Sequence, residues 1–178
     1  VIVGPNGCGK STALKAIGRI LRPKKGIVYL DGKDIQKLST KEVARRMAIL
    51  PQSPQAPAGL TVEELVTYGR FPHQKGFGSL TAGDKDTILW ALEMTKLQEL
   101  KDTAVENLSG GQRQRVWIAM AIAQQTELIL LDEPTTYLDM AYQLEVLELL
   151  YRLNREQDCT IAMVLHDLNL ASRFADYM

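Results

Sequence analysis

Apolar and polar positions sort this chain into short buried strands and amphipathic helices. Val1-Ile2-Val3 is an apolar strand that breaks at Gly4 into a glycine-rich turn. Ala13, Leu14, Ile17, Ile20 and Leu21 then recur at helical spacing, which predicts a helix over Lys10 to Leu21 that Pro23 stops. Gly26 to Leu30 reads as a strand and Asp31-Gly32 as a tight turn. Ser39-x-x-Glu42 opens a short helix through Arg46, and Ala48-Ile49-Leu50 is a strand ended by Pro51-Gln52. A loop with Pro54, Pro57 and Gly59 leads to Thr61-x-x-Glu64, which caps a helix over Val62 to Gly69. Phe71 to Gly78 is a second loop, and Thr81-x-x-Asp84 starts a longer helix whose Ile88, Leu92 and Thr95 share a face. A short helical piece follows at Leu97 to Lys101, and Ser109 caps a helix running to about Gln124. Strands return at Leu128 to Leu131 and Thr160 to Leu165, flanking a helix over Ala141 to Gln157 whose Leu144, Leu147, Leu150 and Tyr151 form a core-facing stripe.

Residues 53–107 contain no strand and read as a helical insert. Buried strands alternating with helices on either side of it imply an α/β fold with a mainly parallel sheet and right-handed crossovers. The 178 residues, 46% hydrophobic and 24% charged, fit one globular domain with a full core. Lys plus Arg and Asp plus Glu number 21 each, so no strong overall field draws the chain to nucleic acid or anionic lipid. No apolar run approaches the ~20 residues of a membrane-spanning helix, and no signal peptide is recognisable. The start at Val1, in mid-strand and without Met, reads as that of a trimmed segment. Cys8 and Cys159 offer neither metal spacing nor a disulfide framework, as in a reducing compartment.

Chemistry concentrates at three places. Gly4 to Ser11 fits the phosphate-loop pattern G-x-x-x-x-G-K-[ST] at every specified position. Its glycines let backbone N–H groups close around an anion at a helix N-terminus. Lys10 can reach the β- and γ-phosphates and Ser11 can hold Mg²⁺. Leu128 to Leu131 is a strand of four large aliphatics ending in Asp132 and Glu133, at the sheet edge where open α/β folds bind ligands. Asp132 suits Mg²⁺, and Glu133 suits a general base that polarises a water. Ser109-Gly110-Gly111-Gln112 opens a second helix with exposed N–H groups; on physics alone an anion cradle and an ordinary flexible cap remain equal readings. His166 ends the last strand, where an isolated histidine reads as structural, and His73 reads as a solvent-facing loop residue. Cys8, just before a helix, reads as a small filler of a loop position whose alkylation would block nucleotide binding.

Gly4–Ser11, Gln52, Leu108–Gln112, Leu128–Glu133, Thr135–Asp139 and His166 together resemble the phosphate loop, Q-loop, signature, Walker B, D-loop and switch histidine of the ATP-binding cassette (ABC) ATPases. The order and spacing are compatible with that family over essentially the whole chain. The resemblance implies a P-loop NTPase (RecA-like) core, residues 1–52 and 125–178, and an inserted helical subdomain, residues 53–124. It implies a head-to-tail dimer, or a paired nucleotide-binding domain, with two ATP molecules sandwiched at the interface. Each ATP would lie on Gly4, Pro5, Asn6, Gly7, Cys8, Gly9, Lys10, Ser11 and Thr12 of one subunit, under Ser109, Gly110, Gly111 and Gln112 of the other. Mg²⁺ would be held by Ser11, Gln52 and Asp132; Glu133, His166 and Gln52 would serve catalysis, and Asp139 would work across the dimer. The adenine-stacking aromatic of the family lies upstream of its phosphate loop, and so upstream of Val1.

Tyr68 to His73, Thr135 to Asp139 and Leu165 to Ala171 look like the iron-siderophore branch of ABC importers, with haem and vitamin B12 importers as relatives. The expectation is an ATPase subunit on the cytoplasmic face of a bacterial membrane, working with polytopic permease subunits and, indirectly, a solute-binding protein. No nucleic acid partner is expected. The competing readings are a soluble ABC ATPase of translation, DNA repair or cluster assembly, and an importer of another cargo. A small-molecule kinase with a phosphate loop does not account for Leu108–Gln112.

Overall fold

The computed structural model describes residues 1–74, 79–136 and 138–178. The end of the predicted loop at residues 75–78, and Tyr137, fall outside the described residues. The first helix, α1 (Lys10–Ile17), is shorter than its apolar spacing predicts. Arg19 turns to φ 60°, Arg19 N donates to Ala16 O and Ile20 N to Lys15 O. That is a Schellman ending, and it leaves Ile20 and Leu21 exposed beyond the helix. The strand read over Gly26 to Leu30 is likewise reduced to β1 (Tyr29–Leu30), which pairs antiparallel with β2 (Lys33–Asp34). Asp31 and Gly32 join them, both with positive φ, as a two-residue hairpin of the I′ kind requires.

Capping boxes start the next helices where their residues predict. Ser39 and Glu42 bond each other's backbone ahead of α2 (Thr40–Arg46), which runs directly into β3 (Met47–Leu50). Thr61 and Glu64 do the same for α3 (Val62–Thr67), and Thr81 and Asp84 for α4 (Ala82–Met94). The α3 helix gives way to a 3₁₀ turn over Tyr68–His73. There Gly69 presses on the fifth helix so closely that an added Cβ would lie 2.3 Å from Met120 O. That helix, α5 (Gly110–Ala123), leads to β4 (Leu128–Asp132), α6 (Met140–Gln157), β5 (Thr160–Val164) and α7 (Leu168–Phe174).

The strands β3, β4 and β5 form a parallel sheet in that order. Ile2 adds a parallel bridge to Val164, its N–H donating to Met163 O at 2.8 Å. The central strand is buried on both faces. Its Ile129 and Leu131 join a large core with Val62, Leu65, Leu92, Val116, Leu147 and Leu150. Leu130 points the other way, into a smaller core with Leu14, Ile35, Val43 and Val164. The arrangement is an α/β, P-loop NTPase fold with three of its helices, α3 to α5, inserted between β3 and β4. The stripe predicted on α6 is rotated slightly: Tyr151 is 44% exposed, and the buried face runs through Val146, Leu147, Leu149, Leu150 and Leu153. Among the described residues no helix is long and apolar enough to cross a membrane.

His73 is not a solvent-facing loop residue. Its Nε2 lies 2.7 Å from Gln124 O, and because a carbonyl only accepts, Nε2 carries the proton. Nearby, the buried Arg70 donates to Asp84 Oδ1 at 2.8 Å and to Ala123 O at 2.8 Å. Two cationic or polar side chains from the 3₁₀ turn thus hold the carbonyls that end α5, where the helix dipole is negative.

Candidate functional site

Parallel strands put their C-terminal ends on one edge, and the predicted site residues follow those ends. Ile2 pairs beside β5, so the chain enters the glycine loop at that edge and returns as α1. Gly9 takes φ 95° as the residue before α1, a left-handed conformation that turns the loop into the helix. Gly4 takes φ 152°, which other residues rarely adopt, and a Cβ there would crowd Cys8 Sγ at 3.0 Å. The buried Lys10 folds back over the loop, its Nζ donating to Gly4 O and Pro5 O at 2.9 Å each. Cys8 is exposed, whereas Cys159 is buried and its thiol is pushed up to about 11 by desolvation.

One helical step on, Ser11 Oγ donates to Asp132 Oδ1 at 2.7 Å. Asp132 is only 1% exposed, and its Oδ2 is buried without a hydrogen-bond partner among the described residues. Lys15 stands 3.8 Å from that oxygen, too far for a hydrogen bond. Lys15 is four residues after Ser11 on the same helix face, a spacing that could have flagged it. Among the described residues no three His, Cys, Asp or Glu side chains gather as a metal site. One carboxylate with a buried oxygen that accepts no hydrogen bond among the described residues, and one hydroxyl, suit Mg²⁺, which takes few protein ligands and completes its shell with water and phosphate.

Glu133 leaves the strand on a different heading, its backbone left-handed at φ 54°. Its Oε1 is 2.6 Å from His166 Nε2. Its Oε2 accepts from Gln52 Nε2 at 2.6 Å and from Thr136 Oγ1 at 3.0 Å. Gln52 follows β3, Glu133 follows β4 and His166 follows β5, so three adjacent strand ends deliver the cluster. Thr136 is a partner that the sequence reading passed over. Glu133 and His166 face Asn6, Gly7, Lys10 and Thr12 across a cleft of about 200 Å³. Roomier cavities of about 480 and 420 Å³, among α4, α5 and α6, touch none of these groups. Volume is the poorer guide here, because the polar chemistry converges on the smaller cleft.

The remaining predicted residues lie elsewhere. Ser109 Oγ accepts from Gln112 N at 3.2 Å, and Gln112 Oε1 accepts from Ser109 N at 3.0 Å, so both are spent on a capping box. Ser109 and Gly110 are exposed at the tip of α5. Gly111 is buried under the Tyr142 ring, which a Cβ would meet at 3.0 Å. Asp139 Oδ1 accepts from Tyr142 N at 3.1 Å as the cap of α6. None of the residues Ser109, Gly110, Gly111, Gln112 and Asp139 lines the cleft on the glycine loop.

The family model described as ABC transporter matches residues 1–136. The chain is 66% identical over 177 residues to the iron(3+)-hydroxamate import ATP-binding protein FhuC of Bacillus subtilis (strain 168), an alignment covering 99% of this chain and 66% of that protein. It is 51% identical over 177 residues to the ferric enterobactin transport ATP-binding protein FepC of Escherichia coli (strain K12), covering 99% of this chain and 65% of that one. The chain therefore spans just under two thirds of the length of these relatives. Among solved structures, the dimeric structure of MJ0796, a bacterial ABC transporter cassette, superposes with a TM-score of 0.83 at 33% identity, covering 98% of this chain and 76% of the other. With the family match running from the glycine loop through Glu133 and Thr136, and with that fold beneath it, the chain belongs to the ABC transporter family.

Proposed function

We propose that this chain is the nucleotide-binding domain of an ABC importer, binding and hydrolysing ATP to drive uptake of an iron-siderophore or related iron chelate. The observation that carries the reading is the convergence of Lys10, Ser11–Asp132 and Glu133–His166 on one cleft. Loop N–H groups and the Lys10 ammonium bind the phosphates, with Lys10 trading its two carbonyl acceptors for phosphate oxygens. Ser11 and Asp132, with Gln52, would hold Mg²⁺, which supplies charge neutralisation at the β- and γ-phosphates when bound. Glu133 Oε1 takes a proton from water as the water oxygen bonds the γ-phosphorus and the bond to ADP breaks. His166 leaves Glu133 to hold the γ-phosphate. The names of the relatives, an iron(3+)-hydroxamate import protein and a ferric enterobactin transport protein, support the cargo class.

Ser109, Gly110, Gly111, Gln112 and Asp139 are assigned to the partner's nucleotide, in a head-to-tail dimer. The exposed tip of α5, lying off its own cleft, supports that assignment. Residues 1–52 and 125–178 form the catalytic core, and residues 53–124 the helical subdomain that meets a polytopic permease at the cytoplasmic face of a bacterial membrane. A solute-binding protein delivers the cargo to that permease. The deciding experiment is Glu133→Gln: ATP binding is retained, turnover falls by about 10²–10⁴-fold, and a closed dimer accumulates. Wild-type turnover by that variant removes Glu133 from its role. Copurification of the full-length protein with ribosomes or DNA, and not with a membrane subunit, overturns the transport reading.

A further inference from the structure

We propose that Thr136 is a positioning residue for the Glu133 carboxylate, holding it so that Oε1 alone faces the phosphate loop. The inference rests on the reading of Glu133 as general base. Thr136 Oγ1 and Gln52 Nε2 donate to the same oxygen, Oε2, at 3.0 and 2.6 Å. Oε1 has His166 Nε2 as its partner, and both residues line the cleft. The last torsion of a glutamate is broad and roughly two-fold, so nothing intrinsic keeps the two oxygens apart in role. Donors on Oε2 do so.

The two donors are not equivalent. Gln52 is exposed and reaches Glu133 from 81 positions away, off the end of β3. A place at the cation would use the amide oxygen of Gln52, so its Nε2 contact to Oε2 would hang on a long, exposed side chain drawn toward the nucleotide. Thr136 sits three residues along the same turn, and Thr136 N also donates to Glu133 O at 3.3 Å. That turn holds Glu133 in its left-handed conformation, which is disfavoured for a residue with a Cβ and needs a fixed surrounding. Thr136 is the donor whose place is fixed by the turn itself.

The test compares the full-length wild type, Thr136→Val, Thr136→Ser and Glu133→Gln in steady-state Mg-ATP hydrolysis, binding of a non-hydrolysable ATP analogue, and thermal melting. Valine keeps the shape of threonine and removes the hydroxyl. Thr136→Val is expected to lower kcat by about tenfold, the scale of one hydrogen bond to a charged group, with KM and analogue binding within about twofold. Thr136→Ser restores most of kcat. On a Glu133→Gln background Thr136→Val costs nothing further. Wild-type kcat in Thr136→Val, alongside a Glu133→Gln variant that has lost turnover, overturns the role of Thr136 alone. So does an equal loss in valine and serine variants, a change confined to KM, or an added loss in the double variant. Full turnover by Glu133→Gln, or no turnover by wild type, overturns the general-base reading and this proposal with it.

Discussion

Asp84→Asn tests whether the ion pair at the far end of α5 holds that helix in place. Asp84 and Arg70 are each about 8% exposed at the side chain, and Arg70 Nε donates to Asp84 Oδ1 at 2.8 Å. Arg70 also donates to Ala123 O at 2.8 Å and to Gln125 Oε1 at 3.0 Å. Thr81 gives Asp84 its hydroxyl at 2.7 Å and its backbone N–H at 3.0 Å. Those two Thr81 bonds, first the hydroxyl and then the N–H, and after them Arg70, pull the Asp84 carboxyl down to about 2. Asparagine keeps the shape and one acceptor but leaves a guanidinium buried without its counter-ion. Breaking a buried pair from one side costs about 3–5 kcal/mol; the retained acceptor puts this case near ~3 kcal/mol. For a chain of this size that lowers Tm by roughly 6–12 °C.

The pH dependence separates charge from packing. A carboxyl whose folded pKa lies below its unfolded one contributes stability that is complete above the unfolded value and is lost as pH falls through the folded value. The gap between wild type and Asp84→Asn should therefore stay level from pH 7 to about 5, then shrink by about 1 kcal/mol on reaching pH 3. Other carboxylates titrate in both proteins and cancel in the difference. Urea unfolding at several pH values measures the gap. A loss under about 1 kcal/mol at pH 7, or a gap unchanged down to pH 3, refutes the argument that this charge anchors α5.

Two further outcomes follow from the phosphate loop. Lys10→Ala should weaken ATP binding by roughly 10–100-fold, since a charged hydrogen-bond donor is lost from the site, and titration calorimetry against Glu133→Gln separates this binding defect from a turnover defect. An unchanged Kd would contradict the placement of the Lys10 ammonium beside Gly4 O and Pro5 O as phosphate contact. Alkylation of the exposed Cys8 should abolish nucleotide binding, and prior ATP should protect the thiol; equal labelling with and without ATP, read by mass spectrometry, counts against it.

What could be read from the sequence divides along the range of the forces involved. Ser39–Glu42, Thr61–Glu64, Thr81–Asp84 and Ser109–Gln112 are bonds across three residues, so their helices begin where the letters say. The end of α1 is local too, but it depends on Arg19 adopting the left-handed turn, while the glycine that would signal it stands one place earlier, at Gly18 with φ −74°. The short α7 gives almost no signal although Asp167 caps it, because seven residues leave little periodicity to detect. Arg70 and His73 were opaque for the opposite reason: their partners at Ala123 and Gln124 lie 53 and 51 positions away, and no spacing rule reaches that far. Ser11 and Asp132 are 121 positions apart, yet both were singled out, because each ends or begins an element that a parallel sheet must bring to one edge. Thr136 fell between these cases. It is near enough to Glu133 to be found, but a hydroxyl four residues past a strand carries no pattern until the left-handed turn at Glu133 aims it back at the carboxylate. The groups easiest to miss are thus those whose chemistry is made by one backbone angle, and Thr136→Val is the place to measure what that angle contributes.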